Sequence, residues 1–373
     1  MAYNLCIIKP NKAVYSETFV QNHIDYLDGN KVVLYGGDFP LYKPDGSYLI
    51  KSKLKLLVYL IQKKLLKKTD IEVRNQALVS FLKEKAVDVV FAEYGTVGAT
   101  VCKACKTANV PLVVHFHGAD AHHQPTVVKY LERYQSVFSY AAKIIAVSST
   151  MVDRLVDLGA NREKVLLNPC GVNLDKFSKT RLACTPKVLF FVGRFVEKKA
   201  PDIVISAFAV VKSKIPEAQL IMAGEGPLLA QSQILAKELG LAHAIAFPGV
   251  YSHVQVQDQM KKVRGFVHHS VTTADGDCEG TPTAILEASA SGLAVISTYH
   301  AGIKEAVIHQ KTGLLCKERD VATFAKNMLA ILENEDYAKE LGRNGAKHMQ
   351  LNYDLKLRIN SLNEVIKHAA NKN

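Results

Sequence analysis

Short apolar runs alternate along the whole chain with longer stretches of helical period. In the first half they fall at 5–8, 31–35, 88–91, 111–116, 143–147 and 164–167. In the second half they fall at 188–192, 219–223, 244–247, 265–268 and 293–297. Such runs read as strands buried on both faces, the condition of a parallel sheet, and the stretches between them as crossover helices. Two series in tandem predict two α/β domains. A polar stretch at 178–186 separates them. The expected division is therefore residues 1–180, residues 181–351, and a last segment, 352–373, whose helix over 352–370 returns to the first domain. Open parallel sheets bind ligands outside the C-terminal ends of their strands. Chemistry is expected on the loops that follow strands, in the cleft between the two domains.

Three such loops carry candidate chemistry. After the run 188–192 come Gly193-Arg194-Phe195-Val196-Glu197-Lys198-Lys199. Gly193 lets the chain turn, and the fork of Arg194 with the point charge of Lys199 suits a diphosphate. In isolation an Arg and a Lys read better as solvated loop charges; placement at a strand end makes the two readings about even. The second loop is Glu279-Gly280-Thr281-Pro282-Thr283-Ala284-Ile285-Leu286-Glu287. Thr281 fits a helix N-cap and Pro282 the first turn. Amides at that helix start would face an anion. Glu279 outside the helix and Glu287 inside it offer carboxylate acceptors for hydroxyls of a ribose and a sugar.

The third loop is His115-Phe116-His117-Gly118-Ala119-Asp120. His115 and His117 point to the same side of a strand end. Metal hydrolases with paired histidines of this kind need the acid one position before Asp120. His117 therefore reads as a polar residue that hydrogen-bonds substrate, and for His115 a structural role reads at least as well. Thr18 and Gln21 have capping-box spacing, which predicts a helix start. The dinucleotide fingerprint GxGxxG is absent, which weakens a dehydrogenase reading. Three further motifs are set aside. Asp275-Gly276-Asp277 reads as a loop rather than a metal-binding DxD. Cys102 and Cys105 lack the second pair that zinc needs. Gly224-Glu225-Gly226-Pro227 is too short for a Walker loop.

Composition changes the picture in a few places. The 373 residues are 48% hydrophobic and 22% charged, the balance of an ordinary folded protein. No apolar run approaches the roughly 18–20 residues that cross a bilayer. No basic segment with a following apolar stretch opens the chain, so no secretory signal is expected. Seven scattered cysteines suit reduced thiols in the cytoplasm. The net charge is +12, with +8 in residues 1–180 and +4 in residues 181–373. Nucleic acid, anionic lipid and phosphorylated substrates are all compatible partners. No aromatic-basic recognition module is present, so nucleic acid is not expected.

Residues 51–68 hold seven lysines and no acid. As a helix, Leu54, Leu57, Val58, Ile61 and Leu65 share a face, with Lys53, Lys63, Lys64 and Lys67 elsewhere and Leu56 and Leu60 on the lysine side. This reads equally as a packed helix with a solvated edge or as a helix on an anionic membrane near a lipid-linked acceptor.

Together these residues resemble the family-4 retaining glycosyltransferases of the GT-B fold, in which two Rossmann-like, doubly wound domains face each other across a cleft. Within that family the chain is similar to bacterial enzymes of colanic-acid and amylovoran-type exopolysaccharide assembly. The likeness covers nearly the whole chain. It rests on Ser16-Glu17-Thr18-Phe19, the 115–120 loop, Val147-Ser148-Ser149, Asn168-Pro169-Cys170-Gly171-Val172-Asn173, Val192 to Lys199, 224–227, and Glu279 to Glu287.

The resemblance implies a hexose moved from a nucleoside diphosphate sugar to a saccharide or lipid-linked saccharide, with retention, no metal and no further cofactor. Arg194 and Lys199 would hold the diphosphate beside Gly193. Glu279 would bind the donor sugar, supported by the amides of Gly280, Thr281 and Thr283 around Pro282. Glu287 would bind the ribose, Val250 would approach the base, and His117 would contact the transferred sugar. Front-face attack is the usual proposal, a donor phosphate oxygen taking the acceptor proton. The expected location is cytoplasmic, or peripheral on the inner face of the membrane. Two features depart from the common pattern: Ala13-Val14-Tyr15 replaces a glycine pair, and Asn173 replaces an acid. The competing readings are a GT-B sugar-nucleotide epimerase and a non-catalytic sugar-nucleotide-binding protein.

Overall fold

The computed structural model is α/β throughout and describes residues 3–12, 18–177 and 185–371. The segment Ala13-Val14-Tyr15-Ser16-Glu17 and most of the expected boundary stretch, 178–184, lie outside the described residues. The chain forms two compact units, Met1–Asn168 with Ile359–Asn373, and Pro169–Arg358.

The first unit is built on strands β1 (Asn4–Lys9), β2 (Asn30–Tyr35), β3 (Val89–Glu93), β4 (Leu112–Phe116), β5 (Lys143–Ala146) and β6 (Val165–Leu167). They pair in parallel in the order β2-β1-β3-β4-β5-β6. Its core is the apolar run of each central strand, with Leu5 to Ile8, Val89 to Ala92 and Leu112 to Val114 wholly buried. Crossover helices such as Gly95–Ala108 and Gln124–Tyr140 connect the strands.

The second unit holds β7 (Val188–Val192), β8 (Gln219–Ala223), β9 (Ile245–Ala246), β10 (Gly265–Val267), β11 (Ala294–Thr298) and β12 (Gly313–Cys316). All its pairs are parallel too. Read from one edge, the order is β9-β8-β7-β10-β11-β12, which is the strand order of a dinucleotide-binding sheet. The winding reverses between β7 and β10, so the loops after those two strands meet at the switch point where such sheets bind ligands. Phe191, Phe195, Phe208, Met222 and Phe324 fill the core beneath.

The sequence pattern misses β12. Its run is only Leu314-Leu315-Cys316 after Gly313, too short to stand out. The units divide at Asn168 and Pro169, earlier than the 180/181 expectation. The reason is a backbone junction: Val172 donates to the Tyr353 carbonyl (2.8 Å) and accepts from the Leu355 amide (3.0 Å), which ties 169–177 to the second unit. The last helix is Leu355–Ala370, and its residues from Ile359 onward belong with the first unit. Thr18 is already helical in Thr18–Tyr26, and Gln21 donates to Asp25 instead of reaching back as a capping box would require.

The 224–227 loop is the support of the loop after β7. The Gly193 amide donates to Ala223, the Phe195 amide to the Glu225 carbonyl (2.8 Å), and the Leu228 amide to the Phe195 carbonyl (3.0 Å). Gly224 takes φ +140, and a Cβ there would overlap the Gly193 carbonyl oxygen. A side chain at 224 would therefore push the Gly193-Arg194 turn away. Gly224→Ala is expected to lower stability by about 2–4 kcal/mol, read as a fall in Tm. Glu225→Ala, which keeps the backbone bond and removes an exposed side chain, should stay within about 0.5 kcal/mol of the parent.

Candidate active site

The chain leaves β7 through Gly193 and the exposed Arg194. A short turn, Glu197–Lys199, and a left-handed Ala200 (φ +39) then start the helix Pro201–Lys214. This turn carries Lys199 inward. Its Nζ lies 3.0 Å from Glu279 Oε1 and 3.0 Å from His268 Nε2. Lys198 pairs with Asp277 at 3.1 Å. Arg194 has no side-chain partner among the described residues.

Burial lowers the Lys199 ammonium from its ordinary value, while Glu279 opposes that shift. Burial also resists the charge on Glu279, but Lys199 and then Lys198 outweigh it and bring the carboxyl down to about 2. The pair is ionised at neutral pH. Burial and the Lys199 charge hold His268 well below the usual imidazole range, so its ring is neutral. A neutral ring that accepts from Lys199 at Nε2 must carry its proton on Nδ1, which donates to Ser270 Oγ at 3.0 Å. Ser297 Oγ then donates to the His268 carbonyl at 2.5 Å.

Glu279 is fixed from its backbone side as well. Its amide donates to His300 Nε2 at 3.0 Å, and His300 Nδ1 donates to Glu318 Oε1 at 2.6 Å. Gly280 follows, its carbonyl accepting from the Gly302 amide at 3.0 Å. The helix is Thr283–Ala290. Pro282, not Thr281, is its N-cap, with extended φ −62 and ψ 118 and its carbonyl accepting from the Ile285 amide at 3.0 Å. Pro282 lacks an N–H in either position, so the sequence signal fits both and the start slips by one residue. Thr281 is buried just ahead of it. The amides of Thr283 and Ala284 precede the first intrahelical donor, Ile285, as at any helix start. Glu287 lies in the second turn of this helix, half-buried, and burial alone pushes its carboxyl up to about 8. Val250 is exposed beyond Gly249, whose carbonyl accepts from the Gly224 amide at 2.8 Å.

The second unit thus brings Lys199 and Glu279 into contact. His117 belongs to the first unit, at the end of β4. There Glu93, wholly buried at the end of β3, gathers three histidines. Its Oε1 lies 2.6 Å from His23 Nδ1, and its Oε2 lies 3.4 Å from His117 Nε2 and 3.5 Å from His115 Nδ1. Burial opposes ionisation, yet His23 and the histidine contacts prevail and hold the Glu93 carboxyl well below the usual range. Burial takes His115 down to about 3, so it is neutral. Asp120 accepts from the His117 amide (2.7 Å) and the Gly95 amide (2.5 Å), fixing the turn. Phe19 and Tyr94 flank the His117 ring at 4.4 and 4.7 Å. Ligand atoms of His23, Glu93 and His115 lie within 4.8 Å of one another, the group among the described residues that could hold a metal ion.

The family Glycosyl transferases group 1 matches residues 173–348, and Glycosyltransferase Family 4 matches residues 55–176. WcaL of Escherichia coli strain K12, named for glycosyltransfer in colanic acid biosynthesis, is 30% identical over 74% of this chain and 71% of its own length. AmsK of Erwinia amylovora, an amylovoran biosynthesis glycosyltransferase, is 28% identical over 68% of this chain and 63% of its own. The chain belongs to the family-4 glycosyltransferases.

Solved structures agree on the fold of this glycosyltransferase. Alr3699/HepE of Anabaena, crystallised with UDP and glucose, superposes with a TM-score of 0.77 over 98% of this chain and 100% of its own, at 15% identity. The sucrose-phosphate synthase of Thermosynechococcus elongatus gives 0.75 over 98% of both chains, at 18% identity. The fold is GT-B. Sequence reasoning missed Glu93, His23, His268 and His300. Glu93 and His268 were reachable, because each ends an apolar strand run, the position already used to find Arg194 and His117. Asp277 holds Lys198, and Cys102 and Cys105 are buried thiols on the helix Gly95–Ala108, both pushed up by burial.

Glu287 yields a pH-dependent prediction. Its folded pKa lies above the ordinary carboxyl value of 4.5, so the folded glycosyltransferase binds that proton more tightly than the unfolded chain. Stability therefore falls as pH rises from about 4.5 towards about 8. Glu287→Gln removes this cost. The variant should match the parent near pH 4.5 and exceed it by about 1–3 kcal/mol near pH 8. Denaturant melts at both pH values check this; a gain independent of pH would contradict it.

Proposed function

We propose that the enzyme moves a hexose from a nucleoside diphosphate sugar to a saccharide or lipid-linked saccharide, with retention of configuration, in exopolysaccharide assembly. The observation that carries the donor reading is the ionised Lys199–Glu279 pair at the β7/β10 switch point. A buried cation there, with Lys198 beside it and Arg194 exposed on the same loop, is a receptor for a diphosphate. WcaL and AmsK, glycosyltransferases of colanic acid and amylovoran biosynthesis, and HepE, crystallised with UDP and glucose, support the same reading.

In this reading the bond from the sugar's anomeric carbon to the β-phosphate oxygen breaks, and its electrons stay on the diphosphate. Lys199 and Arg194 stabilise that growing charge from fixed positions, and the amides at the start of Thr283–Ala290 add a dipole. Glu279 accepts from the donor sugar hydroxyls and Glu287 from the ribose. His117 contacts the transferred sugar, and Val250 adjoins the base. The acceptor hydroxyl forms the new bond and gives its proton to the departing phosphate oxygen, so no protein base and no metal are required. No observation specifically favours epimerisation or simple binding.

The test uses purified enzyme with a panel of UDP-, GDP-, ADP- and dTDP-sugars in EDTA, with released nucleoside diphosphate followed by chromatography. One donor should be turned over without metal. Lys199→Ala and Arg194→Ala should each slow that turnover by about two to three orders of magnitude. Parent rates in both variants, measured with the native acceptor, would overturn the assignment.

A further inference from the structure

The helix Lys53–Lys64 packs in the sense opposite to its amphipathic pattern. Its inward anchor is Tyr59, 0% exposed, which joins Ile50 and Ile71 in a small core with Leu56, Val73 and Ala77 against it. Lys63 lies over the Tyr59 ring at 5.8 Å, on that same packed side. The apolar stripe with three-and-four spacing lies on the other side and faces solvent. Leu54 is 72% exposed, Leu57 54%, Ile61 40% and Leu65, the C-cap, 75%; Val58 on the same stripe is partly buried, and Leu60, off the stripe, is 36% exposed. Leu66, just past the helix, is 58% exposed as well. A chain that needed this stripe for its own core would have buried it. A contiguous exposed apolar stripe marks an interaction surface.

Charge selects the partner. Residues 51–68 carry seven lysines and no acid, and they account for all but one unit of the +8 carried by residues 1–180. Among the described residues Lys51 alone of the seven pairs with an acid, Glu84 at 2.7 Å. At helical spacing Lys51 and Lys55 fall on one border of the stripe and Lys53 and Lys64 on the other. A second copy of the chain would bring like charges together, which disfavours association. A surface of anionic lipid satisfies both parts, taking the leucines into its headgroup and acyl boundary and the lysines to its phosphates. None of the helices among the described residues is long and apolar enough to cross a membrane.

We propose that Lys53–Lys64, with Leu65 and Leu66, is an interfacial helix that seats the enzyme on an anionic bilayer. This goes beyond the donor chemistry and does not depend on it. The chain contains no tryptophan, so a single one reports without background. The experiment is co-sedimentation of the full-length enzyme with phosphatidylcholine vesicles, with and without phosphatidylglycerol, at low salt and at about 0.5 M salt. The parent should bind only the anionic vesicles, and salt should weaken that binding. The double variant Leu57→Glu/Ile61→Glu, altered only at exposed positions, should lose at least about tenfold in affinity at unchanged Tm. Leu57→Trp should show a blue-shifted emission on anionic vesicles. Absence of binding at low salt would overturn the proposal. So would parent-like binding by the double variant, or an unshifted emission from bound Leu57→Trp, which would mean lysine attraction alone. A concentration-dependent dimer abolished by Leu57→Glu/Ile61→Glu would assign the stripe to a second copy instead.

Discussion

A lysine and a glutamate at 3.0 Å, both largely withdrawn from water, set the terms for the second unit. Neither charge would be tolerated there alone, because desolvating an ion costs several kcal/mol that only a close partner offsets. The partner is secured by geometry from every direction. Lys199 reaches its place because the turn Glu197–Lys199 and the left-handed Ala200 redirect the chain below Phe195, which is wholly buried. Glu279 is held by its amide on His300, and His300 by Glu318. His268 sits beside Lys199 as a neutral acceptor and so steadies the ammonium without competing for its charge. A pair of this kind stabilises the fold weakly in net terms. What it does firmly is keep a cation buried and positioned at the switch point of the sheet.

Glu279 and Glu287 show how environment separates two identical side chains. They flank one helix start, yet one carboxyl lies at about 2 and the other at about 8. The first has two lysines near it and the second has only burial. The folded enzyme carries the cost of Glu287 at neutral pH, and a cost retained at one position is more simply understood as serving a ligand than as serving the fold.

The strands were legible because parallel strands buried on both faces leave unbroken apolar runs, and Leu5 to Ile8 or Val188 to Val192 cannot be mistaken for anything half-exposed. The strand-end rule placed Arg194, Lys199, Glu279 and His117 on loops, and in the structure these loops follow β7, β10 and β4. What was not legible was pairing across long separations. Glu93 meets His23 from 70 positions away and His117 from 24, and only the order β2-β1-β3-β4 brings them together. The role of Gly224 was hidden for a similar reason. Its requirement comes from the Gly193 carbonyl, which belongs to a different strand end. The slip from Thr281 to Pro282 is local, since proline satisfies two adjacent positions equally well.

The helix Lys53–Lys64 carries the same lesson further. Periodicity finds an apolar stripe but has no sign: it says that one face differs from the other, not which face the protein covers. Here Tyr59 and Leu56 are the packed residues, and most of the stripe is left outside. The overall basicity then resolves into separate parts. Once residues 51–68 are set apart, the remainder of residues 1–180 is close to neutral. In the second unit two of the cations, Lys198 and Lys199, are committed to acids around the ligand loop. A net charge of +12 spread evenly would attract any polyanion. With seven of those units gathered on the one segment that also exposes leucines, the charge matches an extended anionic surface that can accept hydrocarbon, the two conditions that the proposed membrane partner meets.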